Sequence, residues 1–448
     1  MSSRTTSPNV LMLVVHDIGT SLGCYGHPDI CSPRFDRFAE EGVRFENHFS
    51  TAPYCSPSRG GIITGKYPHV NGLMGLVNIG WNLPASNRTD GMLFGANGYD
   101  TALIGYQHEV KDPEQLGFDT VIMKGGHSAD RVTPNVVDFL DSREEGAKPF
   151  YVRAGFFDTH RMSVKDPDSG AFIGNDWRKY RDRAPTPKDL EPLAYTEDCE
   201  ELRRELADFY GAVTCVDENF GKILDALERN GMADNTIVVF TTDHGIEFPR
   251  AKTTLYDPGI NTTLLMRWPN GFTGGQVPLE LISNIDLLPT LLDCCGIDVP
   301  PDVQGRSFLP LLRGESYKPN EVIFAEKNTD PCDIKRCIRT TEWKLIHNFS
   351  RDIFSVSPRR EYERDPATPN YDRPERELYD LEDDPLEMNN LSGAAEMASV
   401  EQDLRERLHA WQVETDDPVL SGMMTRPLNE PEKWIRALRG RPWRARLG

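Results

Sequence analysis

Two dipeptides of opposite order, His16-Asp17 in VVHDIG and Asp243-His244 in TTDHGIEF, each follow an apolar run directly. They offer two carboxylates and two imidazoles, a donor set suited to a divalent cation. Successive residues on a strand point to opposite faces, so each pair can converge on one ion only at a frayed strand end. A lone His or Asp there is more often a cap or turn residue; two mirror-image pairs favour a metal. A third stretch, TAPYCSPSRGG (residues 51–61), places Arg59 one helical turn after Cys55. Three readings of this cysteine compete: a buried structural thiol, a cysteine nucleophile, or a cysteine that is converted into another group. A thiol nucleophile needs a base and a lowered pKa, and no histidine adjoins Cys55 in the sequence. A buried structural cysteine does not need the Pro57-Ser58-Arg59 that follows it.

Residues so far apart need a scaffold that gathers strand ends. NVLMLVV (9–15), TALIGY (101–106), PFYVRAGFF (149–157) and NTIVVFTT (235–242) are β-branched or aromatic-rich and too short for helices, so they read as buried strands. Helical patterns lie between and after them at 32–42, 201–231 and 284–296. The alternation predicts an α/β fold over residues 1–315, a large mixed and mostly parallel sheet sandwiched by helices. Ligands gather at the carboxyl ends of such strands, and His16-Asp17, His108, Asp158-His160 and Asp243-His244 all sit there. From about residue 316 the pattern changes to short strands, EVIFAE, KRCIRTT and WKLIHNF, then a proline- and charge-rich stretch (357–376) and a closing helix near 396–412. A smaller C-terminal antiparallel sheet plus helix is therefore expected over residues 316–448.

A chain of 448 residues exceeds what one hydrophobic core usually serves, which fits a large unit with a smaller companion. With 38% hydrophobic and 27% charged residues and a mean hydropathy of -0.51, it reads as a soluble globular protein. The apolar core Leu11 to Val15 is too short for a secretion signal, which predicts a cytoplasmic location. Nine scattered cysteines without a CxxC pair argue against a disulfide framework or a structural zinc cluster. Fifty Lys and Arg against seventy Asp and Glu give a net charge of -20, so neither nucleic acid nor an anionic membrane is an expected partner. An anionic substrate would need a local positive site.

The pattern formed by Cys55, Pro57, Ser58, Arg59, Ile63, Thr64 and Gly65 resembles the signature of the type I sulfatases of the alkaline phosphatase superfamily. PNVLMLVVHDIGTSLGCYG resembles that family's first strand and metal loop, TTDHG its second metal loop, KTTLYDPG its active-site lysine segment and RELYDLEDDPLEMNNL its C-terminal sheet. FFDTHR, TTLYDPG and LHAWQVETDDP are most similar to the members that act on N-sulfoglucosamine, the heparan sulfamidase branch. The resemblance implies one divalent metal ion held by His16, Asp17, Asp243, His244 and the residue at position 55. It implies that Cys55 is oxidised to Cα-formylglycine by a formylglycine-generating enzyme, and that the hydrate attacks sulfur and later expels sulfate by reforming the aldehyde. It assigns Arg59 to hold that group, His108 to act on its second hydroxyl, and His160 and Lys252 to bind sulfate oxygens and protonate the leaving group. The implied substrate is a small sulfated saccharide, an O-sulfate or an N-sulfate; a homo-oligomer is left open.

Two positions depart from the family pattern. His16 stands where an aspartate is usual, and Tyr106 stands where a lysine precedes the histidine. The two changes cancel in formal charge. Calcium is the ion the resemblance implies, whereas two imidazoles shift preference towards manganese, zinc or iron. A phosphonate monoester or phosphodiester hydrolase on the same scaffold is one alternative, and a non-catalytic binder of sulfated ligands is another. The loops GLVNIGWNLP (75–84) and RMSVKDPDSGAFIGNDWRKY (161–180) are expected to form the pocket wall.

Overall fold

The computed structural model describes residues 7–161, 184–328, 333–349 and 374–422. Most of the proline- and charge-rich stretch, and the second expected wall loop beyond Arg161, lie outside the described residues. Among the described residues nine strands precede the C-terminal sheet: β1 (Asn9–Val15), β2 (Val43–Arg44), β3 (His48–Phe49), β4 (Asp100–Gly105), β5 (Thr120–Ile122), β6 (Phe150–Gly155), β7 (Thr236–Thr242), β8 (Leu264–Arg267) and β9 (Ile282–Ser283). Seven of them form one sheet in the order β2-β8-β7-β1-β6-β4-β5, with β7, β1, β6, β4 and β5 parallel and β8 antiparallel to both its neighbours, β7 and the edge strand β2. The four strands read from the sequence are the four at its centre.

Helices complete the layers: α1 (Pro33–Glu41), α2 (Cys55–Thr64), α3 (Pro68–Asn71), α4 (Asp90–Ala96), α5 (Ala129–Asp141), α6 (Glu200–Arg229), α7 (Asp257–Ile260), α8 (Leu287–Cys294), α9 (Leu309–Leu312) and α10 (Ala398–Glu414). β1 shows why its sequence is apolar at nearly every position. Leu11, Leu13 and Val15 enter the core shared with α1, α5 and α6, while Val10, Met12 and Val14 enter the core shared with α2, α4 and α8. On α6, Leu202, Leu206, Phe209, Val213, Val216, Phe220 and Ile223 recur at helical spacing and bury one stripe against the sheet. The helix expected over 284–296 begins instead as a 3₁₀ turn, Asn284–Asp286, where the Asp286 carboxylate accepts the Ser283 N–H at 2.9 Å.

Four antiparallel strands, β10 (Ile323–Asn328), β11 (Ile334–Arg339), β12 (Trp343–Asn348) and β13 (Arg376–Asp380), form the second sheet. Ile338, Leu345 and Leu378 pack on Leu404, Leu408 and Trp411 of α10. Ala325, Cys337, Ile346 and Tyr379 on the opposite face pack on Phe49, Leu255, Tyr256 and Ile260. Charge also joins the two parts: Asp257 accepts from Arg339 Nη2 at 2.9 Å and from Lys344. Among the described residues no helix is long and apolar enough to cross a membrane, and no disulfide joins the described cysteines.

The fully buried Arg336 on β11 is held through two hydrogen bonds to Asp417, at 2.6 Å and 2.7 Å. Removing one partner of a buried pair strands the other charge, which costs about 3–5 kcal/mol. Asp417→Ala should therefore lower the thermal unfolding midpoint by several degrees; an unchanged midpoint would show that Arg336 is solvated or re-paired without it.

Candidate active site

The order β7-β1-β6-β4 sets four parallel carboxyl ends side by side, and backbone bonds beyond the strands keep them so. Asp243 N–H donates to Val15 O at 3.2 Å, His16 N–H to Phe156 O at 3.3 Å, and Tyr106 N–H to Gly155 O at 2.9 Å. Asp17 takes a left-handed conformation, φ 50°, which breaks the alternation of the strand and lets both members of the His16-Asp17 pair face one place. After the second pair, Gly245 admits no side chain, since a Cβ there would fall 1.8 Å from Pro258 O.

The sequence-predicted metal ligands come together. His16, Asp17, Cys55, Asp243 and His244 each offer one donor atom, all within 4.8 Å of one another, and all five residues are buried. His16 Nδ1 lies 3.0 Å from Asp243 Oδ2, and His244 Nε2 lies 3.1 Å from Asp17 Oδ1. Both ring nitrogens of His16, and Asp17 Oδ1, are buried without a hydrogen-bond partner. A native protein rarely leaves such groups unsatisfied, so the cluster fits a cation that these atoms would share. His244 Nδ1 faces Gly245 O at 2.9 Å, where it must be the donor; that fixes the tautomer and leaves Nε2 unprotonated towards the cluster. Burial lowers the His16 pKa to about 4 against the pull of Asp243, so its imidazole is neutral and able to ligate. Burial opposes charge on Asp243 too, but His16, His244 and Arg59 around it outweigh that and hold its carboxyl well below the usual range.

Position 55 is the first residue of α2, whose ten residues are all buried. A group there sits at the positive end of the helix dipole, a favourable place for developing negative charge. One turn on, Arg59 Nε donates to Asp243 Oδ2 at 2.9 Å and its guanidinium lies 5.4 Å from the Tyr106 ring centroid. Ser58 donates its hydroxyl to the Asp243 carbonyl, and Asn284 Nδ2 donates to Ser58 Oγ at 3.0 Å. The histidine missing beside Cys55 in the sequence is supplied by the fold: His244 Nε2 lies 3.4 Å from Cys55 Sγ. That nitrogen also faces Asp17 inside the donor cluster, and burial pushes the Cys55 thiol well up, so the pair is not arranged as a thiolate nucleophile with a dedicated base. The 75–84 loop flanks this residue, with Leu76 packed on Tyr54 and Cys55 and Val77 N–H bonded to Ser56 Oγ at 3.1 Å.

The cationic end is built on the segment after Asp243-His244. Lys252 Nζ donates to Asp17 Oδ2 at 2.8 Å and to Glu247 Oε2 at 2.9 Å, and lies 3.4 Å from His160 Nε2. Arg250 and Thr253 flank it with positive φ values of 58° and 72°. Such strain, of order 1–3 kcal/mol per residue, clusters at functional sites. Thr253 N–H bonds to Pro53 O at 2.8 Å, which ties the lysine segment to the approach to Cys55. Burial works against charge on Lys252, but Asp17, Cys55 and Glu247 raise its pKa well above the ordinary value, so the ammonium persists. His108 and His160 are driven the other way, to about 3 and about 4, chiefly by burial.

Tyr106 and His16, the two departures from the family pattern, are in contact, with ring centroids 4.5 Å apart. His108 stands behind Tyr106 at 5.7 Å, its Nδ1 buried without a hydrogen-bond partner. Asp158, another strand-end candidate, is not part of the cluster: it accepts the Ala129 N–H at 2.6 Å and anchors the start of α5. Sequence reading missed Ser58, Asn284 and Glu247. The first lay inside the signature, and the third stands five residues before Lys252, a carboxylate within reach of the lysine it precedes.

The sulfatase family model matches residues 8–297, and the model described as N-sulphoglucosamine sulphohydrolase, C-terminal, matches residues 247–367. The human N-sulphoglucosamine sulphohydrolase is 29% identical over 93% of this chain and 92% of its own length. An N-acetylglucosamine-6-O-sulfatase of Bacteroides thetaiotaomicron is 27% identical over 92% of this chain and 88% of its own. Among solved structures, a protein in complex with its substrate D-glucosamine-2-N,6-O-disulfate superposes with a TM-score of 0.73 at 24% identity, covering 92% of this chain and 99% of that one. The phosphonate monoester hydrolase of Agrobacterium radiobacter shares the fold, with a TM-score of 0.70 at 21% identity over 91% of this chain and 96% of its own. With the signature residues gathered in one buried cluster and the family model spanning most of the chain, this protein belongs to the sulfatases and hydrolyses sulfate esters or sulfamates.

Proposed function

We propose that the chain removes sulfate from a small sulfated glucosamine or a related saccharide, with position 55 as the reacting residue. The observation that carries this reading is the convergence of Cys55, Arg59, the two metal-ligand pairs and Lys252 on one buried point. The relatives act on glucosamine derivatives by their names, and the matched C-terminal model is that of a sulfamidase, which supports a glucosamine-type leaving group.

His16, Asp17, Asp243 and His244 would hold one divalent ion together with the residue at position 55, and that ion would supply Lewis-acid polarisation of an oxygen. Cys55 converted to Cα-formylglycine would supply, as its hydrate, an oxygen nucleophile and a route for sulfate release. The chain's own residues do the rest. Arg59 holds position 55 against Asp243 and offsets negative charge there. On this reading His108, whose imidazole burial keeps neutral, would take a proton from that position, and Lys252 with His160 would bind sulfate oxygens and deliver the proton to the leaving atom. Two imidazoles in the donor set favour manganese, zinc or iron over calcium.

Assayed on a panel of mono- and disaccharide N- and O-sulfates, the purified protein should release sulfate from glucosamine-based members. Cys55→Ala should reduce kcat on the order of 10⁴-fold or more, as loss of a nucleophile does. Release from none of the panel, or an undiminished Cys55→Ala variant, would refute the reading. Elemental analysis should find one transition-series divalent ion per chain, lost in Asp243→Asn; stoichiometric calcium would overturn the metal assignment.

A further inference from the structure

One carboxylate at the leaving-group end has no part in the roles above. Glu247, on the segment between His244 and Lys252, places Oε2 2.9 Å from Lys252 Nζ and 3.8 Å from His160 Nδ1, a buried nitrogen without a hydrogen-bond partner. Lys252 is thus flanked by two carboxylates, Asp17 on the side of the metal-ligand cluster and Glu247 on the other. Asp17 belongs to the donor set of the ion. Glu247 is the additional negative charge, and it lies against the two residues that would hand a proton to the leaving atom.

The two candidate bonds make opposite electrostatic demands on that end. Hydrolysis of a sulfamate, R–NH–SO₃⁻ + H₂O → R–NH₃⁺ + SO₄²⁻, breaks the S–N bond with its electron pair going to nitrogen. A new S–O bond forms, and both water protons end on nitrogen, so the leaving group becomes a cation. Hydrolysis of an ester, R–O–SO₃⁻ + H₂O → R–OH + SO₄²⁻ + H⁺, breaks the S–O bond with its pair going to oxygen. The leaving group is neutral at the end and electron-rich before it is protonated. A carboxylate beside the leaving atom therefore stabilises the nitrogen case and opposes the oxygen case. Resting on the sulfohydrolase reading above, we infer that Glu247 is a specificity-determining residue that selects an N-linked sulfate, its carboxylate facing the developing ammonium of the released glucosamine beside Lys252 and His160.

The test compares kcat/KM for N-sulfoglucosamine and glucosamine-6-sulfate in the wild type, Glu247→Gln and Glu247→Asp. The wild type should prefer the N-sulfate. Glu247→Gln should lower the N-to-O ratio by about tenfold or more, the scale of a lost charged hydrogen bond, and Glu247→Asp should restore part of it. Inhibition by glucosamine, a cation, should weaken in Glu247→Gln more than inhibition by neutral N-acetylglucosamine. Should Glu247→Gln fail to fold, the wild-type preference and the Glu247→Asp ratio decide the matter. A wild type that favours the O-sulfate, or equal losses on both substrates, would overturn the role of Glu247 while leaving the sulfohydrolase reading intact. A wild type inactive on both would refute that reading and this inference with it.

Discussion

The carboxylate of Asp243 is the joint of this structure. Its Oδ2 accepts from Arg59 Nε at 2.9 Å and lies 3.0 Å from His16 Nδ1, while its Oδ1 accepts the Asp17 N–H at 3.1 Å and the His244 N–H at 3.0 Å. Its carbonyl takes the Ser58 hydroxyl. One buried residue thus binds the ends of β7 and β1 to the first turn of α2, so the residue at position 55 is aimed at the two His-Asp pairs by the same contacts that define the pairs. Burying such a charge is costly unless its partners are complete, and here the Arg59 guanidinium and the backbone donors complete them.

Much of this was legible in the sequence because the fold places its chemistry at strand ends. Runs such as NVLMLVV declare themselves as strands buried on both faces, and the dipeptides that follow are then forced to the carboxyl edge of a parallel sheet. The Cys55–Arg59 spacing became one turn of a real helix. What could not be read was proximity across elements. His244 beside Cys55, Tyr106 against His16 and Glu247 beside His160 are products of strand order and of loop paths with positive φ at Asp17, Arg250 and Thr253, and neither has a local sequence period. Asp158 misled for the complementary reason: a strand-end carboxylate can serve a helix start as readily as a ligand.

The contact between His16 and Tyr106 gives physical content to the two departures from the family pattern. A neutral imidazole in place of a carboxylate removes one negative charge, a phenol in place of a lysine removes one positive charge, and the two rings pack edge-on against each other. Arg59 over the face of Tyr106 keeps a cation at that wall. Positive charge at the cluster is thereby concentrated in Arg59 and Lys252, each fixed by a carboxylate of the donor cluster.

In the proposed reaction Cys55 is a precursor and its converted side chain is the reacting group. Peptide mass spectrometry of protein purified from its native host, or from cells that supply a formylglycine-generating enzyme, tests it directly. An aldehyde in place of the Cys55 thiol, in proportion to sulfate-releasing activity, is the expected result; a fully active protein with an unmodified Cys55 thiol would overturn the proposal.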